Sequence, residues 1–476
     1  MVRRVSRRCY FMLIGLVRAI TMRAKLPGFL LFLLLLSAFS VRAEVFEKTL
    51  SNGLKVVVKE DHRAPVVVQQ VWYRAGSMDE PSGATGIAHV LEHMMFKGTR
   101  SVPKGEFSKR IAAAGGRENA FTSSDYTAYF QQLHKSKLPL AMKLESDRMR
   151  NLLLSEVEFG KEVKVVMEER RTRTDDEPRA LLYEKLMATA YQEHPYRHPV
   201  IGWMNDLQSA GVGDAREWYR RWYAPNNATL VVAGDVKAAE VFALAQHYYG
   251  VIPARALPVR KNTEEPQQVG TKRLVVKAPA KLPYLVMAYH APVLRDPAQD
   301  WRPYALEVLA GVLDGNESAR LNKALVREQQ LASSTGAGYD SSARGPGMFM
   351  LEGTPSEGKT VAELEAGLRE QIARLARDGV SEEELRRVKA QVTASEVYKR
   401  DSLFYQAMQI GQTESIGLSH KDIPLMLQKL RAVTAQQVQE VAGEFLKDDS
   451  LTVATLDPLP LSGESKRVKG AGHHAH

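Results

Sequence analysis

The sequence predicts an α+β protein built from two homologous halves, each an antiparallel sheet with helices packed on one face. The main observation is a repeat in which residues 88–98, AHVLEHMMFKG, align without a gap with residues 305–315, ALEVLAGVLDG. A strand-like string precedes each copy, and an apolar string beginning at Leu230 or Leu451 ends each half. Three matches in the same order predict a duplicated unit.

The chain has 476 residues, of which 44% are apolar and 25% charged, so it is globular and too long for a single core. A polar, proline-containing stretch separates the two copies of the repeat and is typical of a linker. We therefore predict an N-terminal catalytic domain, a linker, a C-terminal homologous domain and a disordered tail at residues 44–255, 256–271, 272–461 and 462–476.

The first 43 residues are typical of an export signal. Arg23 and Lys25 precede an apolar run at residues 26–39, and a small residue at position 43 suits cleavage after Ala43. This run is short for a membrane span, so a periplasmic or secreted protein with no stable span is expected. An uncleaved anchor and a start at Met22 remain alternatives.

Charge and cysteine content exclude several classes of function. The leader holds eight of the Lys and Arg residues and no acid, so the net charge of +10 falls to about +2 without it (10 − 8), which gives no indication of nucleic-acid binding. The one cysteine, Cys9, lies in the leader. The mature chain would therefore have no disulfide, no cysteine-ligated metal and no cysteine nucleophile.

A candidate metal site lies within the first copy of the repeat, at His89, Glu92 and His93. On a helix, residues four apart share one face, so both imidazoles can reach one ion at about 2.0–2.1 Å. Glu92 stands beside them, able to take a proton from water at the metal. The apolar residues of this segment fall on the opposite side of the helix, which argues against a core-packing role for the histidines.

A catalytic zinc needs a third protein ligand, which must be His, Asp or Glu in a chain without cysteine. Residues 155–173 predict a glutamate-rich helix on which Glu162 and Glu169 share a face that valines flank. Glu169 as ligand and Glu162 as acceptor for an imidazole N–H form a consistent pair. The spacing alone leaves open that both are solvated, as we expect for Glu156 and Glu168.

The inverted His-x-x-Glu-His order, with a glutamate 76 residues beyond the second histidine, resembles the pitrilysin family of zinc metallopeptidases, the inverzincins that include mitochondrial processing peptidase. The resemblance covers most of residues 45–460. It includes the strings Arg74-Ala75-Gly76-Ser77, Gly86-Ile87-Ala88, Asn119-Ala120-Phe121-Thr122 and Tyr223-Ala224-Pro225-Asn226-Asn227.

This resemblance implies one Zn²⁺ per chain, held by His89, His93 and Glu169, with Glu92 as general base and Glu162 as a supporting catalytic acid. It also implies that Asn119, Ala120 and Phe121 lie on a strand that pairs with the backbone of the substrate. The expected activity is that of a secreted endopeptidase acting on extended peptides or unfolded polypeptides. An ordinary hairpin at residues 115–133 is the alternative that the residues alone favour.

The second half departs from the family pattern. In the repeat alignment, Leu306 takes the place of His89, Leu309 that of Glu92 and Ala310 that of His93. This half therefore cannot bind zinc there. Active family members carry an Arg and a Tyr in this half, where the alignment puts Val326 and Ser333. The resemblance therefore implies a partner, a homologous subunit that supplies the missing pair, because Arg327 and Tyr339 are too far apart in sequence to replace it.

Two other functions remain open from the sequence. One is a binding or assembly protein that keeps the fold without turnover, and the other is a metal-dependent amidase acting on cell-wall peptides. The remaining histidines, among them His194 and His198, are interpreted as surface or structural residues. The same holds for the histidines of the tail, His473, His474 and His476.

Overall fold

The computed structural model describes residues 44–261 and 263–461. The predicted signal peptide with Cys9 and the predicted disordered tail lie outside these described residues. Within them, no helix combines the length and the apolar character needed to cross a membrane.

The first half forms a six-stranded sheet in the order β1-β2-β6-β3-β5-β4. Its strands carry the apolar strings of the sequence, and the central ones are almost completely buried. Their bounds are Val45–Thr49 for β1, Lys55–Glu60 for β2, Val66–Tyr73 for β3, Arg117–Thr122 for β4, Thr127–His134 for β5 and Ala228–Gly234 for β6. The strand β4 lies at one edge and pairs only with β5.

The second half repeats this arrangement as a five-stranded sheet in the order β7-β11-β8-β10-β9. The bounds are Lys272–Pro279 for β7, Tyr284–Ala291 for β8, Ala332–Tyr339 for β9, Gly347–Pro355 for β10 and Leu451–Leu459 for β11. The order matches that of the first sheet once β1 is removed. The predicted α+β fold of two related halves is therefore confirmed.

One feature of the sheets differs from the prediction of antiparallel pairing. The last strand of each half enters the middle of its sheet and runs parallel to the first long strand, β6 to β2 and β11 to β7. All other pairs are antiparallel. The reason is the long helical connection before each last strand, since only such a connection lets a strand return in the parallel direction.

Fourteen α-helices connect these strands within the described residues. Those of the first half are α1 Ile87–Met94, α2 Glu106–Ala113, α3 Leu138–Asn151, α4 Glu156–Arg170, α5 Pro178–Ala190, α6 Met204–Ser209, α7 Val212–Trp222 and α8 Ala238–Tyr248. Those of the second half are α9 Arg302–Asp314, α10 Val361–Asp378, α11 Glu382–Lys399, α12 Leu403–Ser415, α13 Ile423–Ala432 and α14 Ala435–Phe445.

Each sheet is covered on one face by helices of its own half, as predicted, and on the other face by a helix of the other half. Helix α5 packs Leu182, Leu186 and Ala190 against β8 and β11 of the second sheet. Helix α12 packs Ala407 and Ile410 against the first sheet. We call α5 and α12 the exchanged helices. Both sheets therefore have two buried apolar faces, and neither half buries both of its faces alone.

The predicted linker has neither helix nor strand between residues 256 and 261 or between 263 and 270, and β7 begins at Lys272. Its side chains nevertheless hold both halves. Arg260 bonds to Asp79 and Glu265 accepts three main-chain N–H groups from residues 192–194, all in the first half. Gln268 donates to the carbonyl oxygen of Leu451 in the second half. The connector is thus fixed by specific contacts on its path between the sheets.

The close fit of the exchanged helix α12 gives a stability prediction. A Cβ atom at Gly411 would lie 2.1 Å from the ring of Trp72. We expect Gly411→Ala to destabilise the protein by about 1–3 kcal/mol, because the buried indole has to move. Thermal unfolding measures the effect. The matched control is Gly443→Ala on α14, where a Cβ meets nothing within 4 Å, and which should be neutral or stabilising. Equal midpoints for the two variants would contradict this packing.

Candidate metal centre

Helix α1 presents the His-x-x-Glu-His motif on its outer face. Its apolar residues, Ile87, Val90, Leu91 and Met94, are buried in the core of the first half, and the motif residues are only partly buried. The helix begins after Gly86, whose φ of 86° and close approach to the carbonyl oxygen of Ile201 both require glycine. The predicted orientation of the motif is confirmed.

The N-terminus of α1 is held by a buried carboxylate that the sequence analysis did not identify. Glu80 accepts the N–H of Gly86 at 2.8 Å and the N–H of Ala88 at 2.7 Å, one on each oxygen. Burial raises the pKa of Glu80 to about 8, and the two hydrogen bonds partly offset this rise. The bonds satisfy N–H groups that have no partner within the helix. Glu80 therefore fixes the start of the helix that carries the motif.

Helix α4 brings the predicted third ligand to the two histidines. The Nε2 atoms of His89 and His93 lie 3.8 and 3.5 Å from Oε2 of Glu169, and the ligand atoms of all three residues lie within 4.8 Å of one another. A tetrahedral zinc with bonds of about 2.0–2.1 Å separates its ligand atoms by about 3.3 Å. The three atoms therefore fit one zinc ion, and two histidines with one carboxylate are a known catalytic donor set. No other such group occurs among the described residues.

The surrounding charges favour a cation at this position. Burial, with His93 close by, lowers the pKa of His89 to about 4, so this imidazole is neutral and free to act as a ligand. Burial alone would lower the pKa of His93, but the carboxylates of Glu162 and Glu169 outweigh it and raise that pKa to about 9. The two carboxylates thus hold a positive charge between them, as a proton or as a metal ion.

Glu162 lies beside the second histidine. Its Oε2 is 3.4 Å from Nδ1 of His93, and its Oε1 accepts Nζ of Lys97 at 2.7 Å. Burial opposes ionisation, but these two partners lower the pKa of Glu162 to about 2. The carboxylate therefore orients the His93 ring so that Nε2 points towards Glu169. Lys97 was missed in the sequence, although it follows His93 at the same spacing of four.

Two further residues hold the motif and were not predicted. The Thr122 hydroxyl donates to Oε2 of Glu92 at 2.5 Å, and the Arg173 guanidinium pairs with Oε1 of Glu169. Burial raises the pKa of Glu92, which the Thr122 hydrogen bond partly offsets. Arg173 could have been found from its i+4 spacing to Glu169. Thr122 had no such signal beyond its place directly after the Asn-Ala-Phe triplet.

The predicted substrate residues share one cavity with the metal site. This cavity, of about 670 Å³, is lined by the motif and Glu169 on one side and by Asn119, Ala120, Phe121 and Thr122 of β4 on the other. The predicted edge strand is therefore confirmed. One detail is new, because Oδ1 of Asn119 itself accepts the N–H of Ala120 at 2.9 Å. A peptide that uses this N–H has to displace the Asn119 side chain.

The second half contributes no lining residue to this cavity among the described residues. Leu306 and Leu309 are fully buried in its own core. Arg327 bonds to the carbonyl oxygen of Glu317, and Tyr339 bonds to that of Pro292. Neither residue reaches the metal centre.

Of the remaining histidines, His194 is 3% exposed and makes tilted and edge-on ring contacts with Tyr191 and Tyr196, so it is a structural residue. Burial lowers the pKa of His194 to about 4 and keeps the ring neutral. The surface alternative was wrong for this residue, because the exchanged helix α5 and the following turn cover it.

Comparison with known proteins matches two family models to consecutive parts of the chain. Residues 55–202, which contain the motif, match the family model described as "Insulinase (Peptidase family M16)". Residues 210–392, which include most of the half without the motif, match "Peptidase M16 inactive domain". The chain belongs to peptidase family M16. The resemblance to pitrilysin-type zinc metallopeptidases is thereby confirmed.

Relatives in the M16 family include named zinc proteases. The chain is 37% identical to "Zinc protease PqqE" of Helicobacter pylori over 290 residues, which is 60% of this chain and 64% of that protein. It is 27% identical to the uncharacterized zinc protease YmxG of Bacillus subtilis, over 84% of this chain and 95% of that protein.

Solved structures of other proteins share the fold. A protease from Helicobacter pylori superposes with a TM-score of 0.83 at 29% identity, covering 87% of this chain and all of that one. A peptidase M16 inactive domain from Pseudomonas fluorescens superposes with a TM-score of 0.79 at 18% identity, covering 88% of this chain and 100% of that one. The second likeness concerns the fold alone.

Proposed function

We propose that this chain is an exported zinc-dependent endopeptidase in which His89, His93 and Glu169 hold the metal and Glu92 is the general base. The observation that carries the proposal is the convergence of three ligand atoms at the spacing of tetrahedral zinc. Glu92 lines the same cavity, with its carboxylate held by Thr122. A site that only binds metal has no need for an oriented base beside it.

The chain's own residues account for the movement of the proton. Zinc, when bound, supplies a Lewis acid that polarises the peptide carbonyl and acidifies water. Glu92 accepts a proton from the attacking water and returns it to the nitrogen of the departing amine, so the peptide C–N bond breaks with the proton balance closed. Glu162 keeps the His93 ring in place through Nδ1, and Lys97 balances the charge of Glu162.

Substrate recognition is assigned to the free edge of β4. Main-chain pairing at a strand edge selects an extended backbone and gives loose sequence preference. Extended peptides and unfolded polypeptides are therefore the proposed substrates. Phe121 lines the cavity on the same strand and would contact the side chain beyond the scissile bond.

The experiment is a peptide-library assay with quenched fluorophores, run with and without a zinc chelator. We expect Glu92→Gln to keep its zinc and to lose cleavage by at least about 10²-fold, because the base is removed. Glu169→Gln should lose zinc and activity together. The matched control is Glu168→Gln, a neighbouring exposed glutamate paired with Arg171, which should keep both.

Other outcomes of this assay separate the rival functions. Zinc binding without cleavage of any substrate would favour a binding or assembly protein. Cleavage of cell-wall peptides alone would favour an amidase. Full activity in metal-replete Glu92→Gln would remove the proposed mechanism.

We also propose that full turnover requires a homologous partner subunit. Support comes from the missing Arg and Tyr pair and from a cavity lined, within the described residues, by the first half only. The same assay tests this point, since a normal turnover rate from the purified chain alone would contradict it.

The Thr122 hydrogen bond gives a prediction about the base. We expect Thr122→Val to lower kcat about tenfold or more, because an unrestrained carboxylate spends less time aligned with water. KM and zinc content should change little. Thr122→Ser keeps the hydroxyl and should retain most of the activity. A Thr122→Val variant with normal kcat would show that the hydrogen bond does not position the base.

Export is proposed from the leader. We expect N-terminal sequencing of the protein from its native cell envelope to begin at Glu44, after the Ala43 cut. A native protein that begins upstream of the apolar run at residues 26–39 would contradict cleavage and support an anchor.

A further inference from the structure

A second cavity, of about 860 Å³, lies away from the metal centre where the connector passes between the two halves. Its walls come from the segment that follows β3, from the connector, and from loops of the second half. Six of its lining residues are cationic and three are acidic; the cations are Arg74, Arg221, Arg260, Lys261, Arg295 and Arg344. The proposed peptidase function uses none of them.

Two of these guanidinium groups share a single carboxylate. Arg344 binds Asp79 through both Nη atoms, at 2.8 and 3.1 Å, and Arg260 binds the same carboxylate through Nε at 2.9 Å. The side chains of Asp79 and Arg344 are 5% and 7% exposed. Asp125 also lies near Arg344. Burial alone would lower the pKa of Arg344, but the two carboxylates together outweigh burial and raise that pKa.

Arg74 adds a third guanidinium to this group. Burial, with Arg344 and Arg260 close by, lowers the pKa of Arg74. Its guanidinium forms no hydrogen bond or ion pair within the described residues, although its main chain is bonded on both sides. Arg74 is exposed and lines the cavity, so its N–H donors face solvent and are available to an anion that enters.

Two more acids near the cavity accept hydrogen bonds from uncharged groups. Glu265 accepts three main-chain N–H groups from residues 192–194. Asp125 accepts the Tyr196 hydroxyl and the main-chain N–H of Arg344. Neither of these two carboxylates bonds to Arg74, whose guanidinium lines the cavity.

We propose that this cavity binds an oxyanion group, with Arg74 as its principal ligand and Arg260 and Arg344 contributing charge. A guanidinium offers two parallel N–H donors that match the oxygens of a phosphate or a carboxylate. The site is built from both halves and from the connector, so an anion bound there contacts all three. The proposal does not depend on the peptidase reaction.

The test is calorimetric titration of the zinc-loaded full chain with inorganic phosphate and, separately, with succinate, in Tris chloride. We expect at least one of the two to bind and to raise the unfolding temperature. Binding of phosphate alone identifies a phosphate source, and binding of succinate alone identifies a carboxylate source. Binding of both supports an oxyanion site open to either.

Two variants assign the binding to Arg74. Arg74→Gln should lower the affinity for the anion at least tenfold, since a charge-assisted contact is lost. Without anion it should unfold at the same temperature as the parent or higher, because it removes repulsion and no native bond. The control Arg221→Gln removes a cavity charge that is paired with Glu217 and should weaken binding less than threefold.

Three results would overturn the proposal. One is the absence of binding by either anion. Another is unchanged affinity in Arg74→Gln, which would locate the anion elsewhere, for example at the metal centre. The last is an equal loss of anion affinity in both variants, which would show that binding depends only on the general surface charge.

Discussion

The structure depends on the burial of two apolar faces in each sheet. Neither half has enough helices on the second face, and the exchanged helices α5 and α12 supply the missing cover. This exchange also reaches the metal centre. Arg170, next to Glu169, forms a buried ion pair at 2.6 Å with Glu184 of α5 and donates to the carbonyl oxygen of Gly202. The end of α4, and with it Glu169, is therefore fixed by a helix that packs on the second sheet.

The sequence predicted the parts of the site that follow from local spacing. The motif on α1 and the shared face of Glu162 and Glu169 come from helical periodicity, whereas the edge position of β4 was implied by the resemblance to the pitrilysin family. The fold class followed from the repeat in the same way. Local spacing cannot reveal which distant surface a residue meets. Nothing in the residues of α5 says that Leu182, Leu186 and Ala190 meet the sheet of the other half.

The same limit explains the residues that were missed. Thr122 meets Glu92 only because β4 passes beside α1. The sequence around Glu80 gives no sign of its role, because its two bonds to main-chain N–H groups form only in the folded chain. The parallel pairs β2/β6 and β7/β11 have no signature in a single strand, because pairing direction is a property of two strands. His194 has the residue type of a surface turn, and only tertiary contacts bury it.

The second half influences the site without touching it. Arg344 donates its main-chain N–H to Asp125 and a side-chain N–H to the carbonyl oxygen of the same residue, in the turn between β4 and β5. Because Thr122 precedes this turn, the second half helps to set the position of the strand that holds Glu92.

The bond between Asn119 and the N–H of Ala120 also bears on solubility. An unpaired strand edge can join the edge of another copy and begin aggregation. Here one donor of that edge is already satisfied by a side chain that can rotate away. Edge-to-edge joining of two copies and pairing with a substrate peptide both have to break this bond first, so the bond lowers the tendency of the edge to accept any added strand.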